Sequence, residues 1–203
     1  MDRLFDYVEP SEANLSTYSF EILGLLSRVC FEVEANLKGI LLANRYSRDG
    51  KATKANSLTM ADYSKVEKSH FLSRYKIHFP QWSDGLSDFT PFLGWGEEKQ
   101  KRLGWYNAYN QVKHDRYRGF QQANLKHLCE AFAGLIALLT SQFWREDTIS
   151  EYSLLLGQPP GLSGYNPSLV NGYHFSFEPE FEKEERYSEY ALKELKFATY
   201  DYN

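Results

Sequence analysis

Apolar side chains recur at steps of three and four between Tyr18 and about Asn44. Ile22, Leu25, Leu26, Val29, Val33, Leu37, Ile40 and Leu41 form one stripe, and Glu21, Arg28, Glu32 and Lys38 fall mainly on other faces. A helical period sustained this long specifies an amphipathic helix. It should end near Tyr46, where SRDGKATKANS supplies a basic, turn-rich loop. The period returns from Phe120 to Phe143 through Ala123, Leu128, Phe132, Leu135, Leu138 and Leu139, with Ala131 and Ala133 permitting close approach. Two further helices are expected between these. Thr59 with Asp62 three residues later resembles a capping box, so one helix starts near Met60 and runs to about Tyr75, before Pro80. Another runs from Glu97 to about Gln111, its acidic start suiting the helix dipole. FPQWSDGLSDFTPFLGWG, between them, reads as a connector packed on the core with one helical turn.

After Arg145 the character changes. GQPPGLSGYNPSLVNG, residues 157–172, is breaker-rich and reads as a loop. Tyr173, Phe175 and Phe177 then alternate with His174, Ser176 and Glu178, the period of a strand. EKEERYSEYALKELKF reads as a short acidic helix. The expected fold class is all-α. An antiparallel bundle of about four main helices occupies residues 1–147, and a loop-rich C-terminal appendage over 148–203, holding a short strand, packs on it.

Composition refines this picture. The 203 residues suit one large domain or a domain with an appendage, and 42% hydrophobic with 25% charged residues suits a folded core. A net charge of -4 argues against a protein that coats nucleic acid through bulk positive charge, while leaving room for a small basic site. Cys30 and Cys129 lie in apolar-periodic segments and read as buried small hydrophobes. The histidines have no zinc-site spacing, so neither metal nor cofactor is expected. FLGWGEE lacks the lysine and spacing of a phosphate loop, and no nucleophile elbow is present. MDRLFDYVEPSEAN has no apolar core of a signal peptide, and no run is long enough to span a membrane. A cytoplasmic protein with no membrane partner is expected.

Candidate chemistry concentrates in WYNAYNQVKHDRYRGF, Trp105 to Phe120. Asn110, Lys113, His114 and Arg116 fall where the third helix gives way to the fourth, and backbone groups at helix ends are free for contacts. A histidine near neutrality exchanges a proton, lysine and arginine hold phosphate, and asparagine orients a hydroxyl or the imidazole. Those are the parts needed for metal-independent RNA cleavage, in which the 2′-hydroxyl attacks the adjacent phosphorus. The structural alternative for His114 is bonding to the last carbonyls of its helix, with Lys113 beside it. Arg116 and Arg118 read either as solvated charges or as phosphate clamps. Tyr106 and Tyr109 read as packing residues or as base-stacking platforms. Glu32 and Glu34 are surface acids, or one of them orients His114.

With its long first helix carrying FEVEANLK and its YNQVKHDR ahead of an alanine-bearing last helix, the segment from Tyr18 to Arg145 resembles the HEPN superfamily. The family pattern is an arginine, usually followed by a polar residue, with a histidine about four to six residues after it. His114 takes the place of that histidine and Asn110 that of the polar residue; Tyr109 stands where the arginine would be. The resemblance implies an RNA-binding protein or metal-independent endoribonuclease of a toxin–antitoxin or phage-defence type. His114 and Asn110 would be catalytic, and Lys113, Arg116, Arg118, Arg102 and Tyr109 would contact phosphate or RNA. It also implies a homodimer, with RNA and an antitoxin-like protein as partners. The alternative is a catalytically inactive binding or dimerisation module.

Overall fold

The computed structural model describes residues 1–79, 82, 88–143, 169–170, 173–177 and 200–203. After a short α1 (Asp2–Phe5), the first long helix is α2 (Phe20–Ala43). Ser19 starts it, its hydroxyl accepting from the Ile22 amide at 3.1 Å. Its buried stripe is Ile22, Leu26, Cys30, Val33, Leu37, Ile40 and Leu41, the periodic set with Cys30 added and with Leu25 and Val29 half-buried at its edge. The basic loop that follows is a hairpin of β1 (Ser47–Arg48) and β2 (Lys51–Ala52). Asp49 and Gly50 both take positive φ, 54° and 71°, as a tight two-residue turn with this twist requires.

The capping box at Thr59 forms, with the Asp62 carboxylate accepting from the Thr59 amide at 2.6 Å. The helix it starts does not run to Tyr75. It is broken into α3 (Met60–Tyr63), a 3-10 turn at Ser64–Val66 and α4 (Glu67–His70). Phe71, at φ 49°, takes the left-handed conformation that stops it. After a 3-10 turn at Leu72–Arg74 the chain becomes extended as β3 (Tyr75–His78), which pairs antiparallel with β4 (Asp88–Phe89). The described aromatic residues of the connector pack inward as expected. Phe79, Phe89, Phe92 and Trp95 are buried, and a 3-10 turn spans Leu93–Trp95.

The third main helix begins later than its acids suggested, as α5 (Gly104–His114). The residues before it are tied elsewhere. Gln100 donates to the Ser64 and Trp95 carbonyls at 3.3 Å each, and the Lys101 amide bonds the Gly94 carbonyl. A short α6 (Arg116–Gly119) and a 3-10 turn at Phe120–Gln122 precede α7 (Leu125–Phe143). The start is set at Asn124, whose Oδ1 accepts from the His127 amide at 3.1 Å. Nearly every face of α7 is covered, by α2, α5 and β3 among others, as suits a helix apolar all round.

Helix dominates the described fold, with a small sheet beside it. β5 (Leu169–Val170) and β6 (Tyr173–Phe177) extend that sheet in the order β4-β3-β6-β5, with Ile77 opposite Phe175. The expected strand at Tyr173–Phe177 is therefore present, joined to β3. The acidic helix read over residues 182–197 and most of the 157–172 loop lie outside the described residues. Among the described residues, no helix is long and apolar enough to cross a membrane.

Candidate functional site

α5 is held against the core by its apolar side. Trp105, Ala108, Tyr109 and Val112 are buried, and the Trp105 indole N–H donates to the Pro91 carbonyl at 3.0 Å. This leaves Asn107, Asn110, Gln111 and His114 toward solvent to different degrees. The helix ends at His114, where Lys113 and His114 complement the negative end of its dipole. The chain then turns sharply at Asp115. This residue caps α6, its carboxylate accepting from the Arg118 amide at 3.1 Å, with Arg118 Nε 3.8 Å from its second oxygen. Gly119 allows the turn: a Cβ there would sit 3.2 Å from the Gln111 carbonyl and from the Val112 nitrogen.

Two hollows lie along α5. The larger, about 600 Å³, lies between the α3 region and the N-terminal half of α5, and takes in Lys65, Lys101, Arg102, Tyr106, Asn107 and Asn110. The smaller is an open recess lined by Asn110, Gln111, His114, Asp115, Arg118 and Gly119. Asn110 borders both. Arg102 is thus in the same cleft as Asn110, and Asn110 in the same recess as His114 and Arg118.

The other two expected cations point elsewhere. Lys113 Nζ lies 5.3 Å from the centre of the Tyr109 ring, a cation–π contact. The Arg116 guanidinium lies 6.0 Å from the Phe20 ring, which also stacks with Phe120 at 4.8 Å. Lys113, His114 and Arg116 therefore do not converge within one chain. Tyr109, at the family arginine position, is 8% exposed and packs inward, so it offers its ring to Lys113 and not to a base. His114 is exposed and makes no side-chain hydrogen bond among the described residues.

Glu34, not Glu32, faces the motif, and its partner is Tyr106. The Tyr106 hydroxyl donates to Glu34 Oε1 at 2.9 Å. Burial and the adjacent Glu34 carboxylate push the Tyr106 hydroxyl well above the usual tyrosine range. Asn110 borders the recess and, among the described residues, is not bonded to His114. Burial pushes the Cys30 thiol up, with Glu34 adding to it, and burial pushes the Cys129 thiol up as well. Neither thiol carries thiolate character at neutral pH. Among the described residues, no group of three or more His, Cys, Asp or Glu is placed to hold a metal ion.

Sequence reasoning missed Asp115, Lys65 and Lys101. Asp115 was legible as the acid between two helical runs, the usual place of an N-cap. Lys65 and Lys101 reach the cleft from segments distant in sequence, and no local pattern marks them. Compared with protein-family models, curated proteins and solved structures, the chain matches none.

Proposed function

We propose that this chain is a HEPN-like RNA-binding protein that engages single-stranded RNA across the end of α5 and cleaves it without a metal when two copies meet. The observation that supports this best is the continuity of the two hollows through Asn110, which sets Arg102 on one side and His114 with Arg118 on the other. Exposed cations at both ends suit a phosphate backbone laid across the face. His114, exposed and making no side-chain hydrogen bond among the described residues, is the proton-transfer group. It takes the proton of the ribose 2′-hydroxyl as that oxygen bonds to phosphorus. The bond to the 5′-oxygen breaks, that oxygen takes a proton from water, His114 returns its own proton to solvent, and the products are a 2′,3′-cyclic phosphate and a 5′-hydroxyl. The place the family gives to arginine is Tyr109 here, so the cation that stabilises the transition state comes from the second copy, across a twofold axis that repeats the same residues. The activity fits a cytoplasmic toxin–antitoxin or phage-defence role, with an antitoxin-like protein as partner.

A second reading is a catalytically inactive HEPN-like binding or dimerisation module. The inward packing of Tyr109 and the divergence of Lys113 and Arg116 favour it. Cleavage of labelled single-stranded RNA in the presence of EDTA, by the protein and by its His114→Ala variant, separates the two. The ribonuclease reading expects cleavage that survives chelation and falls about 10²–10⁴-fold in the variant. Equal rates, or none in either protein, favour the module.

A further inference from the structure

The segment Tyr200–Asn203 is seated in a slot between the end of α2 and α4. It lies parallel to Arg45, bridged through Asp201. The Arg45 amide donates to the Tyr200 carbonyl and the Tyr202 amide to the Arg45 carbonyl, both at 2.9 Å. Asn44 Oδ1 accepts from the Tyr200 amide at 2.8 Å. Tyr202 is the anchor. It is 2% exposed, and its hydroxyl is hydrogen-bonded to Ser69 Oγ at 2.6 Å. Asn203 closes the seat, its Oδ1 accepting from the Ser47 amide at 2.8 Å and from the Ser47 hydroxyl at 2.5 Å. Lys68 Nζ donates to the carbonyls of Tyr202 and Asn203, at 3.3 Å each.

This division of labour is that of strand-addition peptide recognition. Backbone pairing supplies sequence-independent affinity, and a side-chain pocket with a polar clamp supplies selectivity. We propose that the slot formed by Asn44–Ser47 with Lys68–Ser69 is a peptide-docking site, filled in cis by Tyr200–Asn203, which a partner protein enters by displacing that segment with an extended one of the same chemistry. The partner's segment presents a tyrosine for the pocket at Ser69 and a side-chain amide for Ser47. An acid between two tyrosines, as Asp201 is here, suits the flanking Arg45 and Lys68. Among the described residues the resident segment is four residues long, and as part of the same chain it competes with a rival at high effective concentration. The site also has a route to the cleft. Lys68 and Ser69 continue the α3–α4 run whose Ser64 and Lys65 line it.

The test is a fluorescence-anisotropy titration of the full chain with a labelled, C-terminally amidated peptide of sequence FATYDYN. The chain itself, Tyr202→Ala and Asn203→Ala are compared, with circular dichroism as the check of folding. The unaltered chain takes up the peptide most weakly, because its slot is filled. Asn203→Ala, an exposed change that removes both hydrogen bonds to Ser47, binds it about tenfold more tightly. Tyr202→Ala binds it more tightly still, and a peptide with both tyrosines replaced by alanine does not bind. Should Tyr202→Ala fail to fold, Asn203→Ala decides alone. Folded variants that take up FATYDYN no better than the alanine peptide, or no better than the unaltered chain does, overturn the proposal.

Discussion

The Tyr106 hydroxyl bonds Glu34 across the α5–α2 contact at 2.9 Å, on the turn of α5 that precedes Asn110. This bond ties the helix that ends in His114 to α2, the longest helix among the described residues. Tyr106→Phe removes it and leaves the half-buried Glu34 without its partner. A loss of about 1 kcal/mol is expected, read as a lower urea midpoint at unchanged slope. The pH dependence follows from the raised hydroxyl. The folded state holds the Tyr106 proton more tightly than the unfolded chain, so this contribution is complete below the ordinary tyrosine value of 10.0 and is lost as pH rises through the folded value. Tyr106→Phe should flatten the alkaline limb of a stability–pH curve.

Asp62 behaves in the opposite sense. It is 4% exposed and accepts from Tyr46 at 2.5 Å, from Arg48 Nε at 2.9 Å and from the Thr59 amide and hydroxyl at 2.6 and 2.7 Å. Burial alone would raise its pKa, but the hydrogen bonds from Arg48, Tyr46 and Thr59 outweigh burial and hold the carboxyl well below the usual range. Its contribution is therefore present above the unfolded value of 3.8 and is lost as pH falls through the depressed folded value. Asp62→Asn should cost about 2 kcal/mol at neutral pH and weaken the acid limb, measured by denaturant melts across pH 2–7.

The junction that presents His114 depends on Gly119. An alanine there places its Cβ 3.2 Å from backbone atoms of Gln111 and Val112, which have little room to move. Gly119→Ala should destabilise by about 1–3 kcal/mol and displace Arg118 relative to His114. Chemical-shift changes concentrated on residues 110–119, together with a lower melting temperature, are the expected readout.

How far the sequence revealed all this depended on the reach of each signal. α2 was legible because seven turns of period leave one reading, and β6 because Tyr173, Phe175 and Phe177 alternate cleanly. The helix from Met60 was legible at its cap but not in its length, since the stop is a left-handed Phe71, a residue with no preference for that conformation. β3 was hidden because its four residues follow a helical run and find their partners far along the chain, at Phe89 and Phe177. At the site, the position of His114 at a helix end was readable from local pattern. The turn of Arg116 toward Phe20 was not, because that ring comes from α2, far away in sequence, whereas Lys113 and Tyr109 meet at i, i+4 spacing within α5.

The most direct test of the account is the affinity of the protein for a labelled single-stranded RNA, measured across salt concentrations, beside the Arg102→Ala/Arg118→Ala double variant. If RNA crosses the end of α5, the double variant binds at least about tenfold more weakly, and its slope of log affinity against log salt is smaller by roughly 1.4, about 0.7 for each phosphate that the variant no longer neutralises. Equal affinity and equal slope in the two proteins would contradict the account and place any RNA-binding surface elsewhere on the protein.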